Sequence, residues 1–322
     1  MRVLSGIQPS GELHLGNYVG ALKQFVELQN DYESFFSVVD LHAMTSLHDP
    51  NELRPLIASA KRVFLAIGLN PEKSTLFVQS DVPAHTELAW IFATITPLGE
   101  LERMTQYKDK KAQGLEANAG LLTYPLLMAA DILMYRAEKV PVGEDQVQHL
   151  ELTGDIAKKF NKQFGELFVV PKPILRAGVS RIKSLQDPEK KMSKSLGPKH
   201  YVGLFEHADD IRDKFKRAVT DSEHDIRFDP DNKPGISNLL TIYGAIQGQP
   251  MDEVEQHFAD KSYTELKEEV AEAVIAELKP IQQRAEELSD IDVAAAFKQG
   301  AERAQAEAEK TMREVRKRVG IA

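Results

Sequence analysis

The chain has 322 residues, 42% of them hydrophobic, a formal net charge of −9 and no cysteine. That is enough chain for two domains and enough apolar side chain for a sizeable core, whereas disulfides, thiolate metal sites and cysteine nucleophiles are excluded. No apolar run of about 18 residues exists to span a bilayer, no secretory leader is expected at the N-terminus, and the acidic balance excludes a general nucleic-acid coat, so a cytoplasmic protein with only local nucleic-acid contacts is expected.

The first pattern lies at the start of the chain. A short apolar run over residues 2–7 breaks at Gln8-Pro9-Ser10-Gly11, and apolar residues then recur at Leu15, Val19, Leu22 and Val26 with helical spacing. Strand, tight turn and helix in that order aim free N–H groups of a helix N-terminus over the strand end, a place for a phosphate. Gly11 and Gly16 permit close approach, and His14 and Asn17, one helical turn apart, can both face a ligand. An ordinary βα unit fits this stretch equally well. Strands over residues 34–40 and 74–79, with helices over about 51–68 and 84–95, continue the alternation and predict a Rossmann-type doubly wound parallel sheet. Its ligand then sits over the carboxyl ends of the strands, where Gln8, Asp40 and Ser80 fall. Asp40 and His42 are either site-facing or plain caps.

Residues 97–120 depart from the alternation and read as an insertion between the two halves of the sheet, with Lys108, Lys110 and Lys111 on a solvated face unless a phosphate lies nearby. Residues 121–135 are apolar almost all the way round and therefore buried, yet Asp131 sits among them. A buried carboxylate is costly unless paired, and Arg136 or backbone amides are the expected partners. Tyr124 and Met128, seven and three residues earlier, share its face. A fourth strand over residues 140–143 ends in Gly143-Glu144-Asp145 before a helix over 147–160; carboxylates there suit either the helix dipole or ribose hydroxyls. Residues 171–184 read as irregular. They lead to Lys190-Lys-Met-Ser-Lys-Ser195, a basic exposed loop bracketed by Asp187-Pro188 and Gly197-Pro198. Beyond about Tyr201 the strands disappear, and helices over 207–219, 235–247, 251–258, 263–287 and 291–319 form an all-helical second domain (201–322) after a first (1–200), the last helix packing back on the first domain. Lys214, Lys216, Arg217, Arg313, Arg316, Lys317 and Arg318 there are either phosphate contacts or solvated charges.

His14-Leu15-Gly16-Asn17 and Lys191-Met192-Ser193-Lys194-Ser195 together resemble the His-Ile-Gly-His and Lys-Met-Ser-Lys-Ser signatures of the class I aminoacyl-tRNA synthetases. Within that class the chain is similar to the bacterial tryptophan-specific branch in Ser5-Gly-Ile-Gln-Pro-Ser-Gly11, Glu100-Leu-Glu-Arg-Met-Thr-Gln106, Tyr124-Pro-Leu-Leu-Met-Ala-Ala-Asp-Ile-Leu133, Pro141-Val-Gly-Glu-Asp-Gln146 and Ala218-Val-Thr-Asp-Ser222. The resemblance runs from about Val3 into the C-terminal helices. Asn17 fits the branch, whereas Leu4 and Leu41 stand where Phe and Gln are usual, which touches the pocket wall.

The resemblance implies a homodimer, with an interface around residues 88–98, that joins L-tryptophan to ATP as tryptophanyl-adenylate, releases pyrophosphate, and charges tRNA(Trp), whose anticodon the helical domain reads. It implies an ATP site of Gln8, Pro9, Ser10, Gly16, Asn17, Gly143, Glu144, Asp145, Ile182, Lys191, Met192, Ser193, Lys194 and Ser195. Lys191, Lys194, Lys110 and Asn17 act on the phosphates, and Mg²⁺ bridges those phosphates with no protein ligand. It implies an L-tryptophan pocket of Asp131, Tyr124, Met128, His42 and Leu4, with Asp131 accepting the indole N–H. A tyrosine-specific synthetase, a small-molecule nucleotidyltransferase and a non-catalytic tryptophan- or RNA-binding relative are the alternatives.

Overall fold

The computed structural model describes residues 1–112, 118–143, 146–175 and 182–321, with side chains up to residue 108 in the first stretch. Its centre is a five-stranded parallel sheet in the order β3-β2-β1-β4-β5, built from β1 (Arg2–Ile7), β2 (Glu33–Val38), β3 (Ser74–Val78), β4 (Lys139–Pro141) and β5 (Lys172–Ile174). Successive side chains of a strand point to opposite faces, and the strands here feed two apolar cores. Val3, Ile7, Phe36, Val38, Leu76 and Val78 enter one; Leu4, Phe35, Phe77 and Val140 enter the other.

The opening helix is one continuous run: α1 (Leu15–Asn17), a π-helical turn over Tyr18–Leu22, and α2 (Lys23–Leu28). Then come α3 (Asp40–Ala43) and α4 (Pro50–Ala66), the latter started by Asp49, whose side chain accepts the Asn51 N–H at 2.8 Å. α5 (Ala84–Ile95), α8 (Ala119–Met134) and α9 (Val147–Phe164) cover the second core. The expected insertion consists of α6 (Leu98–Glu102), which packs on α8, and α7 (Thr105–Ala112).

From Ala208 onward every described element is helical: α10 (Ala208–Lys216), α11 (Pro234–Gln247), α12 (Met251–Phe258), α13 (Tyr263–Glu287) and α14 (Asp290–Val319). α11 stops at Gly248, whose φ of +69° suits a residue without Cβ. These helices share the first apolar core with the sheet, since Leu240, Val270, Val274 and Phe297 cluster with Val3 and Phe36.

Two expectations change. Residues 171–184 contain a strand, β5; it is three residues long, carries Pro173 and is largely exposed, so neither alternation nor an apolar run marks it. The fourth strand ends two residues earlier than expected, at Pro141.

The last helix does return to the sheet, along the outer edge of β3. An edge strand is an open template unless covered, and α14 covers this one. A Cβ on Gly300 would lie 1.8 Å from the Leu76 carbonyl oxygen, so only glycine permits the contact. The Arg303 guanidinium donates to the carbonyls of Pro71 and Ser74 at 2.6 and 3.1 Å, closing the start of the same strand. Helix propensity alone gives Gly→Ala a gain of about 1 kcal/mol. At Gly300 the sign reverses: Gly300→Ala is expected to lower unfolding stability by about 1–3 kcal/mol or more in urea titrations, because helix and strand must move apart.

Candidate functional site

A cleft of about 940 Å³ opens at the carboxyl edge of the sheet, where α1, α3, α8 and the segments after β1 and β4 converge. Of the residues singled out from the sequence, Leu4, Gln8, Ser10, Gly16, Asn17, His42, Tyr124, Met128, Asp131, Gly143, Ile182 and Lys191 line it. Pro9 and Met192 are buried beside it rather than in its wall. The stem of Lys194 lies over the opening turn, its Cδ 3.5 Å from where a Cβ of Gly11 would stand. Ser193 and Ser195 hold one another, Oγ to Oγ at 2.9 Å, in the turn that carries Lys194. The side chain of Lys110 and both Glu144 and Asp145 lie outside the described residues.

The first amides of α1 are already bonded. Leu15 N–H donates to Val202 O at 2.8 Å, Gly16 N–H to His14 Nδ1 at 3.1 Å, and Asn17 and Tyr18 N–H to His14 O. Val202, the capping imidazole and the His14 carbonyl thus take the helix-start donors that an anion was expected to use. Burial, and then the charge of Lys191, press the His14 pKa down to about 4, so its ring is neutral and accepts the Gly16 N–H. Of the pair expected to face a ligand, only Asn17 lines the cleft; its Oδ1 accepts the His14 N–H at 3.1 Å, leaving the NH₂ group to donate.

Asp131 sits at the floor of the cleft, 5% exposed. Its partners are not Arg136 or backbone amides. His42 Nε2 meets Oδ2 at 2.8 Å, His85 Nδ1 meets Oδ1 at 2.5 Å, and Gln79 Nε2 lies 2.9 and 2.8 Å from the two oxygens. Burial pushes the carboxyl pKa up, but the hydrogen bonds from His42 and His85, with their charges, more than offset it and hold it at about 2. Behind His85 stands Tyr135, whose hydroxyl meets Nε2 at 2.8 Å; burial, and then the charge of Asp131, keep that hydroxyl protonated. An ionised carboxylate has about four acceptor positions, and four contacts, two to each oxygen, occupy them, with Gln79 Nε2 shared between both oxygens.

Arg136 was a natural partner from the sequence alone, yet it lies past the end of α8 with a left-handed φ of 52°, which turns it out of the helix. Asp40 proves to be structural: its oxygens accept Leu41 N–H and Ser80 N–H, each at 3.0 Å, and the Ser80 hydroxyl at 2.5 Å, tying the ends of β2 and β3. Tyr124 stands edge-on to His42, ring centres 6.1 Å apart, and its hydroxyl donates to Gln106 Oε1 at 2.8 Å and meets His149. The insertion thereby supplies one wall of the cleft. Sequence reasoning missed Gln79, His85, Tyr135 and Gln106. The strand-end rule that named Ser80 stopped one residue past Gln79; nothing local marks the other three.

The arrangement joins a deep acceptor for a ring N–H, flanked by an aromatic and a thioether, to a basic hairpin over a glycine-marked turn. It suits a ligand with an aromatic donor at one end and phosphates at the other.

The chain belongs to the class I tRNA synthetases (W and Y), whose family model matches residues 1–279. Within that class it is 52% identical to the tryptophan–tRNA ligase of Caldanaerobacter subterraneus subsp. tengcongensis over 321 residues, 99% of this chain and 98% of that protein. It is 49% identical to the enzyme of the same name from Bacillus subtilis over 99% of this chain and 97% of that one. Among solved structures, the tryptophanyl-tRNA synthetase of Mycoplasma pneumoniae superposes with a TM-score of 0.93 at 38% identity, covering 100% of this chain and 98% of that one. That of Campylobacter jejuni, complexed with ADP and tryptophan, gives 0.83 at 35% identity, covering 99% and 100%.

His14 gives the pH test of this geometry. With a pKa of 6.5 in the unfolded chain and about 4 in the folded one, the unfolded state takes up the proton first. Native stability is therefore full above pH 6.5 and declines as pH falls toward 4. An NMR titration should find this imidazole neutral down to about pH 5; a midpoint near 6.5 means that the ring does not cap α1.

Proposed function

We infer that the chain is a tryptophan–tRNA ligase. It joins L-tryptophan to ATP as tryptophanyl-adenylate with release of pyrophosphate, then passes the tryptophanyl group to tRNA(Trp). The observation that carries the reading is the buried, ionised carboxylate of Asp131 in the wall of a cleft that Lys191 also lines. Full-length likeness to tryptophan–tRNA ligases at about half identity supports it.

In this reading the indole N–H donates to Asp131 while Tyr124, Met128, Leu4 and His42 enclose the ring. An oxygen of the amino-acid carboxylate forms a bond to the α-phosphorus of ATP, and the bond from that phosphorus to the bridging oxygen breaks, giving pyrophosphate. No protein atom becomes bonded and no proton need move, so positioning and charge are what the protein contributes. Asn17 donates to the phosphates from the opening turn, and Lys191 and Lys194, with Lys110 from the insertion, bear the charge that grows on the leaving group. Gln8, Pro9, Ser10, Gly16, Gly143, Ile182, Met192, Ser193 and Ser195 shape the nucleotide site, and Glu144 and Asp145 take the ribose hydroxyls. In the second step a ribose hydroxyl at the tRNA 3′ end attacks the adenylate carbonyl and AMP leaves.

In this reading Mg²⁺ is bound by the triphosphate; among the described residues Asp131 is the only carboxylate lining the cleft. The reading includes a catalytic part over 1–200 and an anticodon-reading helical part over 201–322. It also includes a homodimer through residues 88–98, where Trp90 of α5 and Leu98 at the start of α6 are 72% and 58% exposed, and work in the cytoplasm, where translation draws on charged tRNA. Among the described residues no helix is long and apolar enough to cross a membrane.

A charging assay with tRNA(Trp) and with tryptophan or tyrosine tests the whole: tryptophan alone should be transferred. Lys194→Ala should lower pyrophosphate exchange about 10²–10³-fold while the tryptophan Kd stays within about twofold, since the cation acts on charge that develops in the transition state. Asp131→Ala should erase most of the preference for tryptophan over phenylalanine, because a site with a buried acceptor rejects by roughly 10⁴ a side chain that lacks the donor. Retained preference measured by exchange with both amino acids would refute the role given to Asp131.

A further inference from the structure

The hairpin that carries Lys191 is hydrogen-bonded to α11 through the Asn238 side chain. Lys183 and Lys191 face each other across an antiparallel bridge, flanked by Met192 N–H to Ile182 O at 3.0 Å and Ser184 N–H to Lys190 O at 2.9 Å. In that register the peptide groups of Lys183 itself point away from Lys191, to the outer edge of the hairpin. Asn238 meets both. Its Oδ1 accepts the Lys183 N–H at 2.7 Å, and its Nδ2 donates to Lys183 O at 3.0 Å. A side-chain amide thus completes the edge as the backbone of a third strand would. Asn238 is 4% exposed in the middle of α11, among buried Ser237, Leu239 and Leu240, so it cannot swing to follow the hairpin. Ile182 and Met192, either side of the bridge, are buried in the core that α11 helps to build.

We propose that Asn238 is a positioning residue for adenylate formation: by gripping both peptide groups of Lys183 it fixes the arm against which Lys191 is registered. The placement of the ammonium over the phosphate cleft is then a property of α11 as well as of the loop. This inference rests on the reading of Lys191 as a phosphate-binding cation. It also gives the helical part of the chain a mechanical hold on the chemistry, because α11 holds Lys183 through this amide as well as through the shared apolar core.

The test is a double-mutant cycle on tryptophan-dependent pyrophosphate exchange. Asn238→Asp keeps the acceptor but sets a carboxylate oxygen against the Lys183 carbonyl. It should lower kcat about tenfold or more and raise the ATP KM, leaving the tryptophan Kd from equilibrium dialysis within about twofold. In a Lys191→Ala background the same substitution should change kcat by less than about twofold, since there is no longer an ammonium to place. An equal loss in both backgrounds, or a parallel loss of tryptophan affinity, overturns the positioning role and leaves Asn238 as a core residue. If Lys191→Ala alone leaves exchange unchanged, the reading of Lys191 itself falls, and this inference with it. Should Asn238→Asp not fold, Asn238→Ala, which leaves the two Lys183 groups to water, is measured in the same two backgrounds: a loss confined to the Lys191 background supports the positioning role, and an equal loss in both overturns it.

Discussion

One buried carboxylate joins four segments that are far apart in the chain. Asp131 of α8 receives His42 from α3, Gln79 from the end of β3 and His85 from α5. An ionised group in such a place is unfavourable on its own, and removing one partner of a buried charged pair costs about 3–5 kcal/mol. The segments are therefore held together by a group that cannot be left alone. The same constraint orients the carboxylate: His85 is fixed from behind by the Tyr135 hydroxyl, and Asp131 is held in the wall of the cleft.

The other end of the cleft follows a different logic. The start of α1 resembles an anion-binding helix start, yet its amides are spent on His14 and Val202. The hairpin that carries Lys191 leans on it, with the Cβ of Met192 3.5 Å from the place where a Cβ of Gly16 would stand. Burial, and then the charge of Lys191, keep His14 neutral, and the imidazole accepts a hydrogen bond instead.

The helical C-terminal part is not an appendage. Its residues share an apolar core with the sheet, and α14 lies so close along β3 that glycine is required at the contact. Through Asn238 it also touches the hairpin beside the cleft.

What the sequence determined by itself is what local pattern encodes. Strand–helix alternation, the apolar faces of α5, α12 and α13, the glycine-marked turn and the basic loop are all properties of neighbours in the chain, and the helix bounds Ala84–Ile95, Met251–Phe258 and Tyr263–Glu287 follow from periodicity and flanking turn residues. Asp131 stood out for the same reason, as one charge in an apolar helix. Tertiary structure alone decided which groups answer that charge, because His42, Gln79 and His85 lie 89, 52 and 46 residues away. It also decided that the helix-start amides are taken, that Asp40 is a tie between strands, and that Lys183 is gripped from 55 residues away. Hydrogen bonds between remote segments leave no period in a sequence: each needs only the right atom at one place, and that place exists only once the sheet has been assembled.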